Sequence, residues 1–305
     1  MPMPSSHHRS ARRAIAALIA ASSAAGVLAQ APAAHADPLV IPVTGARNLA
    51  AGGGWHAWTA PAPGGRWRLV TQAPDGTIQA ARTADFGAPP DASIGATAFG
   101  VADKRIVAVY SRCKGSSATD RCDVFQYDLA AGTERKVARI STAAGSETAS
   151  SIASGHLAFV RRGGPRPGTY TATRRRISRI DSRAARETAV TPSRVAYRIG
   201  DSIVMSQLDG ARRRTLVSGR PVFSVVITRY RVGWLQRAGH RTLALMTDRI
   251  NPSGSVTIRR GTHDLPASTQ SAAADDSRIV EYLGSTGIKR AAPPLFPSTF
   301  IVRPD

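Results

Sequence analysis

In the stretch DKRIVAVYSRC, Asp103 to Cys113, the basic pair Lys104–Arg105 is followed by four apolar residues and the aromatic Tyr110. Polar residues follow Tyr110. The same arrangement returns along the chain as short apolar runs that include or end on an aromatic residue. These aromatic residues are Trp58, Tyr110, Phe159, Tyr197, Trp234 and Tyr282, spaced 52, 49, 38, 37 and 48 residues apart. A strand repeated six times predicts a fold built from repeated units.

Each unit has further features in common. A small-residue segment with Ser or Thr precedes the aromatic strand, as in TASSIASG, and a second, often alternating strand follows it, as in CDVFQYDL. Periods of about 40–50 residues with four short strands are typical of β-propeller blades. We therefore predict an all-β protein, a β-propeller of six blades of about four strands. Seven blades or a large β-sandwich remain alternatives, and either PLVIPV near the N-terminus or STFIVRP near the C-terminus could complete the final blade.

The two clearest copies carry a family resemblance. DKRIVAVYSR with CDVFQYDLAAGTERKVARI (103–140) and SRVAYRIGDSIVMSQLDGARRRTLV (193–217) resemble the repeats of TolB-type and WD40-like propellers of exported bacterial proteins. The resemblance implies the propeller fold over most of the chain. It carries over no catalytic residues, because that family shares none, and a fold by itself does not specify a function. Only four of the 41 basic residues are Lys, a bias typical of a high-GC genome such as that of an actinobacterium.

The N-terminus has the pattern of an export signal. Arg9, Arg12 and Arg13 precede an apolar, Ala-rich run, and AHA (34–36) offers small residues for cleavage before Asp37. We predict a signal peptide over 1–36 and a single propeller domain over 37–305, secreted or associated with the cell wall. Sec and twin-arginine export both remain open. The apolar run is too short and too weakly apolar for a membrane span, and no later run reaches spanning length.

The net charge indicates which class of partner to expect. Three of the 41 basic residues and none of the 20 acidic ones lie in 1–36, so residues 37–305 carry a net charge of +18. Such a charge favours anionic partners, although the Arg-rich composition also explains it in part. Export makes nucleic acid an unexpected partner.

The chain has two cysteines, Cys113 and Cys122, and an even count in an exported chain predicts a disulfide. Such a bond stabilises the fold by about 2–3 kcal/mol for so short a loop.

Sequence motifs for catalysis are absent. The chain has no G-x-S-x-G, H-E-x-x-H, C-x-x-C or phosphate-loop pattern, and its histidines show no metal-ligand spacing. We predict neither a metal nor a cofactor. SRCK (111–114) matches the S-x-x-K pattern only by chance, because it lies at a strand end without the partner motifs.

The remaining signal is the placement of basic residues. If the aromatic strand is the second of each blade, the loops that follow it share one face of the propeller. The basic residues predicted to bind a ligand there are Arg112, Lys114, Arg161, Arg162, Arg198 and Arg237. We predict a non-catalytic protein that binds an anionic wall polymer or polysaccharide, or an envelope protein, through this face. The alternative is a polysaccharide lyase or glycoside hydrolase acting on an acidic glycan, with Tyr110, Tyr197 or His240 as proton-transfer candidates. The sequence does not indicate the oligomeric state.

Overall fold

The structure is a computed structural model, described here for residues 39–97, 105–114, 120–237, 242–250, 256–266, 268–274, 280–283 and 287–290. These residues form six four-stranded antiparallel sheets. The all-β propeller prediction is therefore confirmed, and the number of sheets agrees with six blades. The predicted signal peptide and the C-terminal STFIVRP lie outside the described residues.

The first three sheets follow the single strand β1 (Leu39–Pro42) along the chain. Sheet I has β2 (Arg47–Gly52), β3 (Trp55–Ala62), β4 (Arg66–Gln72) and β5 (Ile78–Ala80), with a short 3-10 turn at Pro63–Gly65. Sheet II has β6 (Ala92–Ala96), β7 (Ile106–Cys113), β8 (Cys122–Asp128) and β9 (Thr133–Lys136). Sheet III has β10 (Ser146–Ala153), β11 (His156–Arg162), β12 (Gly168–Ala172) and β13 (Ile177–Asp181).

The other three sheets continue the same order. Sheet IV has β14 (Glu187–Val190), β15 (Arg194–Ile199), β16 (Ser202–Gln207) and β17 (Arg214–Val217). Sheet V has β18 (Val222–Ile227), β19 (Arg231–Arg237), β20 (Thr242–Ile250) and β21 (Val256–Pro266). Sheet VI has β22 (Ser271–Ala274), β23 (Val280–Leu283), β24 (Gly287–Arg290) and, as its fourth strand, β1.

The repeated aromatic residue occupies the second strand of every sheet, as predicted. Trp58, Tyr110, Phe159, Tyr197 and Trp234 are each at most 2% exposed. The adjacent sheets cover both faces of such a strand: in β7, Ala108 and Tyr110 pack with residues of sheet I, and Val107 and Val109 pack with Ile152 of sheet III. This double covering explains the continuous apolar run that marks each unit in the sequence.

The first strands of the six sheets contact one another in a ring. Neighbouring contacts run from β2 to β6, β10, β14, β18 and β22, and from β22 back to β2. Side chains must be small where these strands converge. A Cβ added to Gly95 would lie 2.2 Å from the carbonyl oxygen of Ile152, and one added to Gly52 would lie 2.9 Å from that of Ile94. The Ser, Ala and Gly content of these segments is therefore a packing requirement.

The N-terminal strand closes the ring. β1 pairs with β24 so that Ile41 lies opposite Ile288, and sheet VI thus combines both ends of the described chain. Both isoleucines are fully buried and pack in one cluster with Trp58. Of the two strands that could have completed the last blade, the described structure uses the N-terminal one.

The predicted disulfide is confirmed. Cys113 and Cys122 are bonded, and they lie directly opposite each other where the loop that connects β7 to β8 begins and ends. The bond therefore joins two adjacent strands within sheet II. A disulfide is typical of an oxidising, extracytoplasmic environment. No helix in the described part of the chain has the length and apolarity that a membrane crossing requires.

The closure predicts a large effect of substitution at Ile41. Ile41→Ala should lower the free energy of unfolding by about 2–4 kcal/mol, because it removes buried methyl groups and leaves a cavity between β1 and β24. Ile78→Ala on the outer strand β5, where the side chain is 50% exposed, is the matched control and should change it by at most about 0.5 kcal/mol. Urea unfolding of both variants measures this. Equal losses would contradict closure by β1.

Candidate functional site

Strand direction assigns the loops to two faces. Each first strand begins at the connection from the preceding sheet and runs towards the opposite face. The second strand is antiparallel to it and therefore ends on the face where the first strand began. The connections between sheets and the loops from second to third strands therefore share one face, which we call the upper face. Arg112, Arg161, Arg162, Arg198 and Arg237 all lie at the upper ends of second strands, so the face predicted to collect these basic residues exists.

The body of the central channel holds no ionisable side chain among the described residues. The six first strands enclose a cavity of about 120 Å³. Its walls are small or apolar residues with a few hydroxyls, including Ala51, Gly95, Ala153, Val190, Val226 and Ala273. Acid–base chemistry and charge recognition therefore have no groups to act through in this part of the channel.

The upper end of the channel is different. A cavity of about 110 Å³, which we call the channel mouth, has polar residues contributed by all six first strands or the residues just before them. The polar lining residues are Asn48, Asp91, Ser93, Ser150, Glu187, Thr188, Ser224, Gln270 and Ser271. We identify the channel mouth as the candidate functional site, because it is the place where polar groups from distant parts of the chain converge.

Asp91 lies immediately before β6 and is held by the preceding loop. The side-chain amide of Asn48 donates hydrogen bonds of 3.1 Å to the carbonyl oxygens of both Pro89 and Pro90. Asn48 itself has a backbone φ of 55°, a left-handed conformation that Asn tolerates better than most residues. This residue of β2 therefore fixes the loop that carries Asp91 into the mouth.

The surroundings of Asp91 disfavour its ionised form. Enclosure by protein at the mouth is the larger cause, and the nearby Glu187 carboxylate adds to it, while the Arg198 guanidinium acts in the opposite direction. Together they raise the pKa of Asp91 to about 6. The side chain nevertheless stays exposed towards the mouth, so it can meet a ligand.

Glu187 begins β14 and is held by Arg198 of the neighbouring strand. One guanidinium nitrogen of Arg198 lies 3.0 Å from Glu187 Oε1, and another donates to the carbonyl oxygen of Val222 at 3.4 Å. The Arg198 side chain is only 14% exposed. The second carboxylate oxygen, Oε2, is buried and has no hydrogen-bond donor among the described residues.

Two further predicted arginines are also paired with carboxylates. Arg112 binds Glu134, which accepts a second hydrogen bond from Tyr110, and its guanidinium lies 4.6 Å from the Phe125 ring centroid. These contacts lie between strands of sheet II. Arg112 is therefore part of the packing of this sheet.

Arg161 is held in the same way in sheet III. Its Nε lies 2.9 Å from Oε1 of Glu147, a residue with no exposed surface, and another nitrogen donates to the carbonyl oxygen of Ile140 at 3.0 Å. The guanidinium also lies 4.9 Å from the Tyr170 ring centroid. A bonded and stacked guanidinium of this kind stabilises the fold and offers little to a ligand.

The other three predicted residues have no carboxylate partner among the described residues. Arg162 donates to the carbonyl oxygen of Ala185 at 2.9 Å and is half-buried, and burial is the larger cause that lowers its pKa. Lys114 and Arg237 are exposed. Ligand binding by the six predicted residues stays a prediction, and the structure places Lys114 and Arg237 where a ligand could reach them most directly.

Exposed basic residues form an arc on the upper face from sheet II to sheet V. None of these side chains forms an ion pair with a described residue. We call them the basic rim: Lys114, Arg166, Arg186, Arg220 and Arg237. The same loops hold the exposed acid Asp201 and the pair Asp120–Arg121, in which the charges lie 3.5 Å apart. The rim therefore keeps a surplus of positive charge around the mouth.

The proton-transfer candidates of the enzyme alternative do not reach the mouth. Tyr110 is buried, burial raises its pKa, and its hydroxyl donates to Glu134. Tyr197 donates to Asp181 at 3.3 Å, and burial is the main cause that raises its pKa to about 12. His240 lies outside the described residues.

Sequence reasoning missed Asp91 and Glu187. Each stands where a loop meets a small-residue first strand, in PPDASIGA and RETAV. An acid at this boundary could have been singled out once the small-residue segments were recognised as the strands around the channel. Their convergence on one cavity, however, depends on the ring.

Solved structures share the fold at low sequence identity. The tricorn protease is similar with a TM-score of 0.52 and 12% identity over 83% of this chain and 26% of that chain, so this chain spans about a quarter of it. The gluconolactonase XC5397 from Xanthomonas campestris is similar with a TM-score of 0.51 and 13% identity over 82% of this chain and 86% of that one. No protein-family model and no curated protein sequence matches the chain. Similarity at this level of identity establishes the fold alone.

The pairing of Arg161 predicts a structural role that can be measured. Arg161→Ala should lower the free energy of unfolding by about 3–5 kcal/mol, because it leaves the Glu147 carboxylate buried without its partner. Lys114→Ala, the exposed control on the same face, should change it by at most about 0.5 kcal/mol. Urea unfolding distinguishes the two. An Arg161→Ala protein as stable as the parent would show that Arg161 is free for a ligand.

The raised pKa of Asp91 predicts a pH-dependent effect of Asp91→Asn. The folded protein holds the Asp91 proton up to about pH 6, whereas the unfolded chain loses it near pH 4. Ionisation of Asp91 therefore reduces stability as the pH rises through this window. Asp91→Asn should gain stability relative to the parent between pH 4 and pH 7. Urea unfolding at several pH values measures the difference, and parallel curves would contradict it.

Proposed function

We propose that this protein is a binding propeller whose upper face holds an anionic polymer, such as a wall polymer or acidic polysaccharide. The single observation that carries the proposal is the basic rim, whose five cationic side chains are exposed and unpaired with described carboxylates. Charges of this kind attract a polyanion without requiring a deep pocket. An extracytoplasmic location agrees with the disulfide and with the predicted signal peptide. An envelope protein with an acidic surface would be recognised by the same rim.

The proposal differs from a diffuse basic surface in one respect. The lower face also carries exposed arginines, including Arg174, Arg175 and Arg176 between β12 and β13. If composition alone explained the charge, both faces would bind a polyanion equally. A functional rim requires that the upper face bind more tightly.

The test compares two variants of equal net charge. One replaces Lys114, Arg186 and Arg220 of the rim by Gln, and its matched control replaces Arg174, Arg175 and Arg176 by Gln. The rim variant should bind soluble polygalacturonate about tenfold or more weakly at 0.15 M salt, because three favourable charges are lost. The control should bind within about twofold of the parent.

Sedimentation or titration at about 0.15 M and 0.5 M salt completes this comparison, because screening lengths differ roughly two-fold between them. Partial weakening at the higher salt supports a shaped site on the upper face. Equal losses in the two triple variants would show that the charge is compositional. Absence of polyanion binding by the parent would remove the proposal and leave a protein partner as the object of search.

A lyase or glycoside hydrolase acting on an acidic glycan is the second candidate. The observation that favours it is Asp91, a carboxyl group with a pKa near 6 beside the Glu187 carboxylate in a cavity open to the upper face. The tricorn protease and the gluconolactonase are enzymes by name, but at 12–13% identity they support only the fold. Release of chain ends from polygalacturonate, abolished by Asp91→Asn, would establish this candidate and overturn the prediction of a non-catalytic protein.

A further inference from the structure

Most polar groups of the channel mouth are already used within the protein. The Asn48 amide donates to the loop before β6, and Ser93 Oγ accepts a hydrogen bond from the amide of Ile152. Thr188 donates to the carbonyl oxygen of Ala149. The hydroxyls of Ser224 and Ser271 bind backbone groups of neighbouring sheets in the same manner.

Besides the side-chain amide oxygens of Asn48 and Gln270, three acceptors remain. The first is the carboxylate of Asp91, an exposed residue, and the second is Oε2 of Glu187, which is buried without a donor. The third is Ser150, which is 4% exposed, and its Oγ has no partner among the described residues. All three residues line the mouth. A buried polar atom without a partner is costly, so a ligand that supplies donors to Glu187 Oε2 and Ser150 Oγ would gain free energy.

The three acceptors come from consecutive sheets. Asp91 precedes β6 of sheet II, Ser150 lies on β10 of sheet III, and Glu187 begins β14 of sheet IV. Strand β10 contacts both β6 and β14. The hydroxyl therefore comes from the strand that lies between those carrying the two carboxylates.

The charge in the mouth is negative, in contrast to the rim. Arg198 compensates Glu187, and no described cation forms an ion pair with Asp91. An anionic group would therefore be repelled from the mouth, whereas a cation would be attracted to it. The rim and the mouth thus select opposite charges on the same face.

We infer that the channel mouth is a binding site for a primary ammonium group, held by Asp91, Ser150 and Glu187. An ammonium has three hydrogen-bond donors and no acceptor, which suits the unused acceptors of Asp91, Ser150 and Glu187, and the mouth has no unused cation among the described residues. A guanidinium is planar and suits a bidentate carboxylate, so it matches three separate acceptors poorly. The described residues contain no group of three or more His, Cys, Asp or Glu side chains that could hold a metal ion.

The size of the mouth limits what accompanies the ammonium. A volume of about 110 Å³ is several times the roughly 10–15 Å³ that a cavity needs to hold one water. An aminoalkyl group or the amine-bearing edge of a sugar fits, whereas the interior of a polymer chain does not. This inference deepens the proposed function: the ligand is an anionic polymer with free amino substituents, its anionic groups on the rim and an amine in the mouth.

The test uses small probes, so that it does not depend on polymer binding. Ethanolamine, which stays protonated throughout the pH range used, is titrated into the intact protein at pH 7 and low salt, with chemical-shift changes as the readout. N-acetylethanolamine, which lacks the charge, should bind at least about tenfold more weakly. Methylguanidinium should also bind more weakly than ethanolamine.

Variants identify the site. Asp91→Asn and Ser150→Ala should each weaken ethanolamine binding, by about tenfold and about threefold respectively, because one removes the charge and the other a neutral acceptor. Asp201→Asn, an exposed acid of the same face outside the mouth, is the matched control and should stay within about twofold. Binding to the parent should strengthen between pH 5 and pH 7 as Asp91 ionises beside Glu187 and Arg198.

The outcomes separate this inference from the proposed function. The rim variant at Lys114, Arg186 and Arg220 should keep its ethanolamine affinity while it loses polygalacturonate. Equal binding of ethanolamine and N-acetylethanolamine by the parent, which needs no variant to fold, would overturn the ammonium site. An unchanged affinity in folded Asp91→Asn, or equal binding of methylguanidinium, would do the same.

Discussion

The close approach of the six first strands is the constraint on which the rest of this structure depends. A Cβ atom added to Gly95 on β6 would lie 2.2 Å from the carbonyl oxygen of Ile152 on β10, the first strand of the next sheet. Sheets can converge this closely only if their first strands carry small side chains. The same requirement leaves the channel body narrow and, in the part of the chain that the structure describes, without ionisable groups. Ionisable groups of the channel lie at the mouth, where the strands begin and larger side chains fit again.

The arginines divide between two uses. Arg112, Arg161 and Arg198 lie at equivalent strand ends in successive sheets, and each is bonded to a glutamate of its own sheet. Two of them also stack on aromatic rings. In each pair the glutamate neutralises the arginine and the two residues link strands of one sheet. Such partly buried, hydrogen-bonded pairs are costly to break. The net positive charge is therefore a surplus that remains mainly on exposed loops, and on the upper face it forms the basic rim.

The upper face thus combines two zones of opposite character. The outer zone is cationic and open, whereas the inner zone is a small cavity with two carboxylates and an unused hydroxyl. Long-range attraction by the rim and short-range contacts in the mouth are different contributions, because salt screens exposed, distant charges strongly and enclosed, close pairs much less. A ligand that carries only one kind of charge would use half of this surface, and a ligand with both would be preferred over either.

Much of the fold was determined by the sequence alone, since strand signals are local. A buried second strand is recognised as an apolar run with an aromatic residue, and most first strands beside the channel are rich in Ser, Ala or Thr. An even cysteine count in a chain with an export-signal pattern predicts a disulfide. Each of these strand patterns lies within about ten residues, so it can be recognised whatever the arrangement of the sheets. The placement of the basic residues on one face followed as well, because strand order determines which loops lie together.

Only the tertiary structure decided what those residues do. Whether Arg161 is free or bonded depends on Glu147, which belongs to the preceding strand of its sheet, and no local pattern marks that pairing. Asp91 and Glu187 stand 96 residues apart, and they act on each other only because three first strands pack side by side around the channel. Closure by β1 likewise joins residues at opposite ends of the described chain. Contacts of this kind depend on the whole ring, and that is why the site had to be found in three dimensions.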